Sequence, residues 1–213
     1  MWWTFVVIAL IGYLLGSVPA GLIAGRLARG IDIRDYGSGK TGFTNALRTI
    51  GLRASLPVMV WDVAKGVLTV VIARLLSDNA YVQAVGGLAA VAGHDWPVFA
   101  GFRGGRGVGT SFGVLLGMNP LVALVLLLVG VAIALVTRYM SVMSISGAVL
   151  AAAVFTGLAA AGVLPAAYAV YTVLAAALAV VLHRENIRRL LAGTEPKIGR
   201  GGKRRVEEVR GSL

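Results

Sequence analysis

Apolar and polar stretches alternate along this chain on the scale of a bilayer. Trp2 to Gly25 carries no charge and is long enough to cross, since a transmembrane helix needs about 20 mostly apolar residues. It lacks the basic start and short apolar region of a secretory signal, so it reads as a retained span. Arg26, Arg29 and Arg34 follow, and a polar, glycine-rich segment runs from Asp32 to Arg53. Ala54 to Leu76 is apolar again but holds Asp62 and Lys65; Ala80 to Gly93 is a shorter apolar run, and His94 to Gly107 is rich in Gly and Arg. Val108 to Thr137 is uncharged and too long for one straight span, and Gly117-Met118-Asn119-Pro120 is a turn signal that divides it. Tyr139 to Leu182, also uncharged, divides at Ala161-Gly162 and Pro165. From His183 onward the chain is polar and strongly basic.

This pattern predicts an all-α polytopic membrane protein of about seven transmembrane helices, two of them short. If the short segments are re-entrant or interfacial, the count is five. Either odd number puts the termini on opposite sides. The helix ends at Arg26–Arg53, Arg103–Arg106, Arg138 and Arg184–Arg210 fall on one side, and only Arg74, near Asp78, lies toward the other. The positive-inside rule makes the basic side cytoplasmic, with the N-terminus outside and the C-terminus inside. Residues 1–196 form the expected membrane domain, and 197–213 a basic cytoplasmic tail expected to be mobile.

Composition sharpens this picture. The 213 residues are 58% hydrophobic and only 14% charged, yet the net charge is +11. Soluble chains average roughly 45–50% apolar and about 25% charged, so a soluble domain, a disordered tail and a nucleic-acid-binding module are all disfavoured. The absence of cysteine excludes disulfides, thiolate metal sites, cysteine nucleophiles and palmitoylation. Two histidines cannot form a multi-histidine cage, and no metal or cofactor is expected.

Candidate chemistry lies in three polar segments. In the first, Gly37-Ser38-Gly39-Lys40-Thr41-Gly42-Phe43-Thr44-Asn45 leads to Arg48. Glycines let backbone N–H groups converge on an anion, and the hydroxyls and Arg add donors. Gly39-Lys40-Thr41 suggests a nucleotide loop, but the glycine required five residues earlier is Arg34. A solvated loop acting only as a topology signal does not need Ser, Thr, Asn and Arg among four glycines. The second segment, from His94-Asp95-Trp96-Pro97 to Arg103-Gly104-Gly105-Arg106-Gly107, precedes an apolar helix. That helix's free N–H groups and dipole favour a phosphate, although a turn with two anchoring arginines accounts for the segment equally well. In the third, His183-Arg184-Glu185-Asn186 places His183 and Asn186 on one face if the last helix continues; an interfacial anchor with Arg188 and Arg189 on anionic lipid is the simpler reading of that segment alone. Asp62 and Lys65 share a helix face. A transporter would use such a pair for coupling, and an enzyme to hold a helix or position a basic loop; the structural role is preferred.

In order and on one side, these segments resemble the acyl-phosphate-dependent glycerol-3-phosphate acyltransferases of bacteria, the PlsY type. Gly-Ser-Val-Pro at residues 16–19, Gly-Ser-Gly-x-x-Gly-x-Thr-Asn-x-x-Arg at 37–48, Gly-His-x-x-Pro-x-Phe with Gly104-Gly105-Arg106-Gly107, Asp62-x-x-Lys65-Gly66, and His183-Arg184-x-Asn186 with Gly193-Thr194-Glu195 carry the likeness. The resemblance implies an inner-membrane enzyme with seven helices and a cytoplasm-facing site. It moves a fatty acyl group from acyl phosphate to the 1-hydroxyl of sn-glycerol 3-phosphate, giving lysophosphatidic acid and phosphate in the first acylation of phospholipid synthesis. It implies neither acyl-CoA nor a metal, and membrane lipid rather than nucleic acid as surroundings.

Carried over, Ser38 and Arg48 bind phosphate, and Thr44 and Asn45 orient substrates, with Gly37 and Gly39 in the same loop. Gly104, Gly105 and Gly107 form a phosphate-approaching backbone, with Arg106 supplying charge and His94 joining the substrate site. His183 and Asn186 line the glycerol phosphate site, and Glu195 ties down the tail or a basic residue. Lys40 stands where the family usually has Asn, Phe43 where it has a small residue, and Arg106 where it has Lys. Phe43 is expected to narrow the pocket or shift acyl-chain preference. No Ser-His-Asp or His-x-x-x-x-Asp arrangement is present, so direct transfer without an acyl-enzyme is expected, a substrate phosphate oxygen taking the proton while His183 orients or assists. The competing classes are a small transporter or channel using Asp62 and Lys65, and a structural protein acting through its basic tail.

Overall fold

The computed structural model describes residues 1–200, 202 and 204, and all regular elements among them are helical. They are α1 (Trp3–Ser17), α2 (Ala20–Arg29), α3 (Phe43–Ile50), α4 (Leu52–Leu76), α5 (Ala80–Asp95), α6 (Val108–Met118), α7 (Pro120–Thr137), α8 (Met140–Ala160), α9 (Ala166–Leu182) and α10 (Arg184–Leu191). Short 3-10 turns lie at Ile33–Asp35 and Val98–Ala100. Four stretches are long and apolar enough to cross a membrane: Trp3–Arg29, Leu52–Leu76, Pro120–Thr137 and Met140–Ala160. A fifth results if α9 and α10, bent by 57°, count together. The short segments of the expected seven are α5, with 16 residues, and α6, with 11.

Local chemistry sets the breaks. Asn119 accepts the N–H of Val122 at 3.0 Å and Pro120 opens α7, because an Asn cap fills an orphan donor and a first-turn proline loses nothing by lacking one. The α8–α9 turn uses Gly162 at φ +71. Two breaks depart from the expected pattern. The first apolar stretch is not one helix: it stops at Val18-Pro19 and restarts at Ala20, since proline removes a donor in the helix interior. The last helix does not continue straight through His183, which sits at the α9–α10 bend.

Small residues bring the helices together. A Cβ on Gly16 would run into the carbonyl oxygen of Ala90, locking α1 against α5. One on Gly113 would meet the carbonyl of Val63, locking α6 against α4. Lipid tails are as apolar as leucine, so this close packing rather than hydrophobic exclusion associates the helices. A core of Val70, Val114, Leu115, Phe155, Tyr168 and Tyr171 joins α4, α6, α8 and α9. At its far end Arg74 donates to Gln83 Oε1 (3.2 Å) and to the Met118 carbonyl that ends α6 (3.1 Å), and Tyr168 also donates to Gln83.

Replacing Gly16 with Val overpacks the α1–α5 crossing and should cost about 1–3 kcal/mol. A lower unfolding midpoint of the detergent-solubilised protein is the expected measurement, and an unchanged midpoint would contradict this packing.

Candidate active site

Site geometry begins at a buried charge. Lys65, 1% exposed, places Nζ 2.8 Å from Asp62 Oδ1 and 2.8 Å from His94 Nδ1, and His94 Nδ1 lies 3.3 Å from Asp62. Lysine can only donate, so Nδ1 accepts and the ring proton of the neutral imidazole sits on Nε2. This triad pins the end of α5 to α4. The turn after it is built on the same ring: Gly105 donates its N–H to the His94 carbonyl (3.0 Å) and Gly104 to that of Asp95 (3.2 Å). A Cβ on Gly105 would overlap His94 Nε2. Gly107, at φ +68, then caps α6. The amides of Gly104 and Gly105 are therefore spent inside the turn and not free for phosphate, and His94 is not among the residues that line the apolar cavity between α6, α7, α8 and α9. Gly107 and the first-turn N–H groups of α6, which have no intrahelical acceptor, are the backbone donors that remain.

Asn45 organises the first segment from within. Its Oδ1 accepts the Ser38 N–H (3.0 Å), and its Nδ2 donates to the carbonyls of Ile33 (2.9 Å) and Lys40 (2.8 Å). Asn45 is thus a loop former whose side chain is saturated by protein. Gly37 and Gly39 take positive φ in that loop. Ser38, Thr44 and Arg48 remain half-buried around it. Arg34 pairs with Asp32 and donates to the Ala100 carbonyl at 2.8 Å, joining the first segment to the second.

The third segment closes over both. At the bend, His183 Nδ1 lies 2.7 Å from the Ala179 carbonyl. A carbonyl only accepts, so Nδ1 carries the proton and Nε2 is the ring's acceptor. Just past the span, burial lowers the His183 pKa to about 4, with Arg106 acting in the same direction. Asn186 donates to Glu195 Oε1 (2.7 Å), and Arg189 Nε donates to Oε2 (2.8 Å). Burial opposes the Glu195 charge, but the Asn186 and Arg189 donors prevail and hold its pKa below the ordinary value. Arg48 donates to the Pro196 carbonyl at 3.2 Å. Beyond it, Ile198 donates to the Arg138 carbonyl (2.8 Å) and Tyr36 bridges Arg204. Most of the tail expected to be mobile lies outside the described residues.

Lys40, Arg48, Arg106 and Arg189 are thereby drawn together from all three segments. Burial lowers the pKa of Arg106, and the positive charges of Arg189 and Arg48 add to the effect. Burial and then Arg106 do the same to Lys40. Partly desolvated cations pressed together favour a bound anion. Arg106 and Asp95 stand at one end of an apolar cavity of about 120 Å³ between α6, α7, α8 and α9. Phe43, expected to narrow the pocket, is not among the cavity's lining residues; it begins α3, half-buried, on the other side of the loop.

Sequence reasoning passed over two residues here. The Asp95 carboxylate is buried at the cavity, with neither oxygen partnered among the described residues. Ser141, at the start of α8, has a buried hydroxyl without a partner in the same set and lies beside Glu195. Asp95 lies inside the second segment, at a position to which the motif assigns no role, and Ser141 lies outside all three segments; burial of a polar atom is what signals them.

A helical membrane protein that draws Lys40, Arg48 and Arg189 toward Arg106, the residue at the mouth of an apolar cavity, is organised as a lipid-modifying enzyme for phosphate-bearing substrates. Sequence comparison gives it a family: residues 6–193 match the glycerol-3-phosphate acyltransferase model, and the chain belongs to that family. It is 43% identical to the glycerol-3-phosphate acyltransferase of Thermoanaerobacter sp. (strain X514) over 197 residues, covering 91% of this chain and 96% of that protein. It is 44% identical to that of Synechococcus sp. (strain CC9902), covering 91% and 94%. Its fold matches crystal structures of PlsY, an integral membrane glycerol 3-phosphate acyltransferase. For the glycerol 3-phosphate form the TM-score is 0.82 at 37% identity, covering 92% of this chain and 96% of that one. For the lysophosphatidic acid form it is 0.81 at 37%, covering 92% and 95%. The chain is an integral membrane, multi-pass glycerol-3-phosphate acyltransferase of the PlsY type.

Removing one member of a buried ion pair strands the other charge, at a cost of about 3–5 kcal/mol. Lys65→Met should therefore destabilise the folded protein in detergent far more than Asp62→Leu combined with Lys65→Met. Equal losses in thermal unfolding would exclude a charge-pairing role.

Proposed function

We propose that this chain transfers a fatty acyl group from acyl phosphate to the 1-hydroxyl of sn-glycerol 3-phosphate, releasing lysophosphatidic acid and inorganic phosphate. The observation that carries this reading is the convergence of Lys40, Arg48, Arg106 and Arg189 on the polar end of an apolar cavity. Both substrates bear phosphate and one bears a long chain. Arg48 and Ser38 hold phosphate from the first segment. Arg106, with the first turn of α6, holds it from the second. His183 and Asn186 line the glycerol phosphate side, and Glu195 fixes Asn186 and Arg189. The cavity takes the acyl chain.

The donor is a mixed anhydride and is already activated. The glycerol hydroxyl oxygen attacks the acyl carbonyl carbon, the bond from that carbon to the phosphate oxygen breaks, and the leaving phosphate is stabilised by the arginines. Holding both substrates in line supplies much of the remaining acceleration. The hydroxyl proton passes to a substrate phosphate oxygen. His183 is too weak a base for that step, but its Nε2 can accept a hydrogen bond from the hydroxyl and aim it. The expected topology is seven crossing or re-entrant helices with the N-terminus outside and the site facing the cytoplasm, in the plasma membrane. A +11 chain with its cations on that face would concentrate anionic substrates there. The transporter reading finds less support, because Asp62 and Lys65 pair with each other and with His94 and do not line the apolar cavity.

Purified protein given acyl phosphate and labelled glycerol 3-phosphate should form lysophosphatidic acid. Arg48→Ala and Arg106→Ala should each lower kcat on the order of 10²–10³-fold, the effect of removing one preorganised donor. No product from wild type, or equal use of acyl-CoA, would overturn the donor assignment.

The pH profile separates the proton acceptors. A phosphate ester has its second pKa near 6, whereas His183 remains neutral down to about 4. Rate should fall as pH drops through about 6, and that limb should persist in His183→Gln at reduced turnover. Its disappearance in the variant, or full retention of turnover, would remove His183 from the assigned role.

A further inference from the structure

The cavity has a floor, and three helices measure its depth independently. On α6 its lining runs from Val108 to Leu115, on α8 from Met143 to Ala151, and on α9 from Ala179 to Tyr171. Each first-named residue is tied to the polar end. Val108 follows the Gly107 cap next to Arg106, Ala179 holds the His183 ring, and Met143 donates its N–H to Tyr139 beside the Arg138–Ile198 contact. Each last-named residue belongs to the packed core with Phe155 and Tyr168, so the cavity ends there. At 1.5 Å of rise per residue all three helices give a depth of roughly 10–12 Å. An extended chain of ~1.5 Å bonds advances about 1.3 Å per carbon, so the slot accepts about eight or nine carbons in extended form.

We infer that the Leu115–Ala151–Tyr171 floor and the open face of Gly147 above it set the acyl-chain-length preference of this enzyme. The inference rests on the acyl phosphate reading given above. A donor arrives from lipid, whose tails are as apolar as the slot, so transferring methylenes does not discriminate among chains. Shape does: interiors pack densely, and extra volume forces strain. Carbons beyond the floor have no room in the slot and must bend out of it toward the bilayer, whereas shorter chains leave part of it unfilled.

Gly147 provides the test. It lines the slot about one turn below Met143, and no atom lies within 4 Å of where its Cβ would be. A side chain can therefore start there without a clash at its Cβ and extend into the slot. Rates are measured with a series of acyl phosphates from butanoyl to stearoyl, at saturating glycerol 3-phosphate. In Gly147→Leu the ratio of kcat/KM for palmitoyl over butanoyl phosphate should fall about tenfold or more, as insertion of a side chain into a filled site predicts. Leu115→Ala deepens the floor and should move the ratio the other way. If Gly147→Leu is not recovered from the membrane, Ala151→Val, one turn deeper, repeats the test with a smaller shift. Lysophosphatidic acid from every variant with an unchanged ratio overturns the floor assignment. No product from wild type with any acyl phosphate overturns the donor reading instead.

Discussion

Everything at the polar end of this molecule depends on a single buried ammonium. Lys65 is all but inaccessible within α4, and such a charge persists only if it is paired and hydrogen-bonded. Asp62, three residues earlier on the same helix face, supplies the charge, and His94 from α5 supplies the second acceptor. The pairing therefore fixes more than α4. It holds the last turn of α5 in place, fixes the tautomer of His94 and presents that ring as the surface on which the following turn is laid. Only glycine fits at 105 against the ring. Because the turn is fixed, Gly107 can cap α6 and Arg106 enters the cavity end in one orientation.

The fold holds the opposite kind of tension next to this satisfied triad. Lys40, Arg48, Arg106 and Arg189 are partly desolvated and repel one another, with Glu195 as the counter-charge that hydrogen-bonds Arg189. Glu185 and Asp95 also act on the set, but Glu195 is the carboxylate that hydrogen-bonds one of its members. It anchors Arg189 and Asn186 and leaves the others oriented without saturating them. A site of this kind is preorganised for anions, because its donors are ordered before substrate arrives and need not be reoriented when charge moves onto the leaving phosphate. The transfer chemistry and the +11 charge of an otherwise oily chain are thus aspects of one arrangement.

Much of this was legible from local pattern. Asn119-Pro120 carries its turn chemistry in its own side chains, Gly162 in lacking one, and Asp62 and Lys65 declare their pairing by spacing. Long-range contacts were not legible. Nothing near His94 in the sequence reveals that Lys65 occupies its ring nitrogen, so a histidine in a polar motif reads as a ligand for substrate. Asn45 likewise looks like a substrate contact until its amide is seen to be used up by Ile33, Lys40 and Ser38. The Arg34–Ala100 and Arg48–Pro196 bonds that join the segments, and the buried Asp95 and Ser141, leave no periodic trace. Periodicity also overran Pro19, where hydrophobicity continues but the hydrogen-bond ladder cannot, and it gave no sign of the bend at His183.

The bend at His183 shows why that departure matters. At the bend the Ala179 carbonyl keeps its ladder bond from the His183 N–H (3.0 Å) and accepts from the imidazole ring as well, while Asn186, in the first turn of α10, donates to Glu195 beyond that helix's end. The two residues then serve different functions: one offers an uncharged acceptor nitrogen, and the other is held by the carboxylate that also holds Arg189. The break also separates the apolar wall of the slot, on α9, from the basic helix α10 above it. On the proposed reading, a donor whose chain lay along α9 and whose phosphate met Arg106 would bring its acyl carbonyl to the bend, within reach of a hydroxyl aimed by His183.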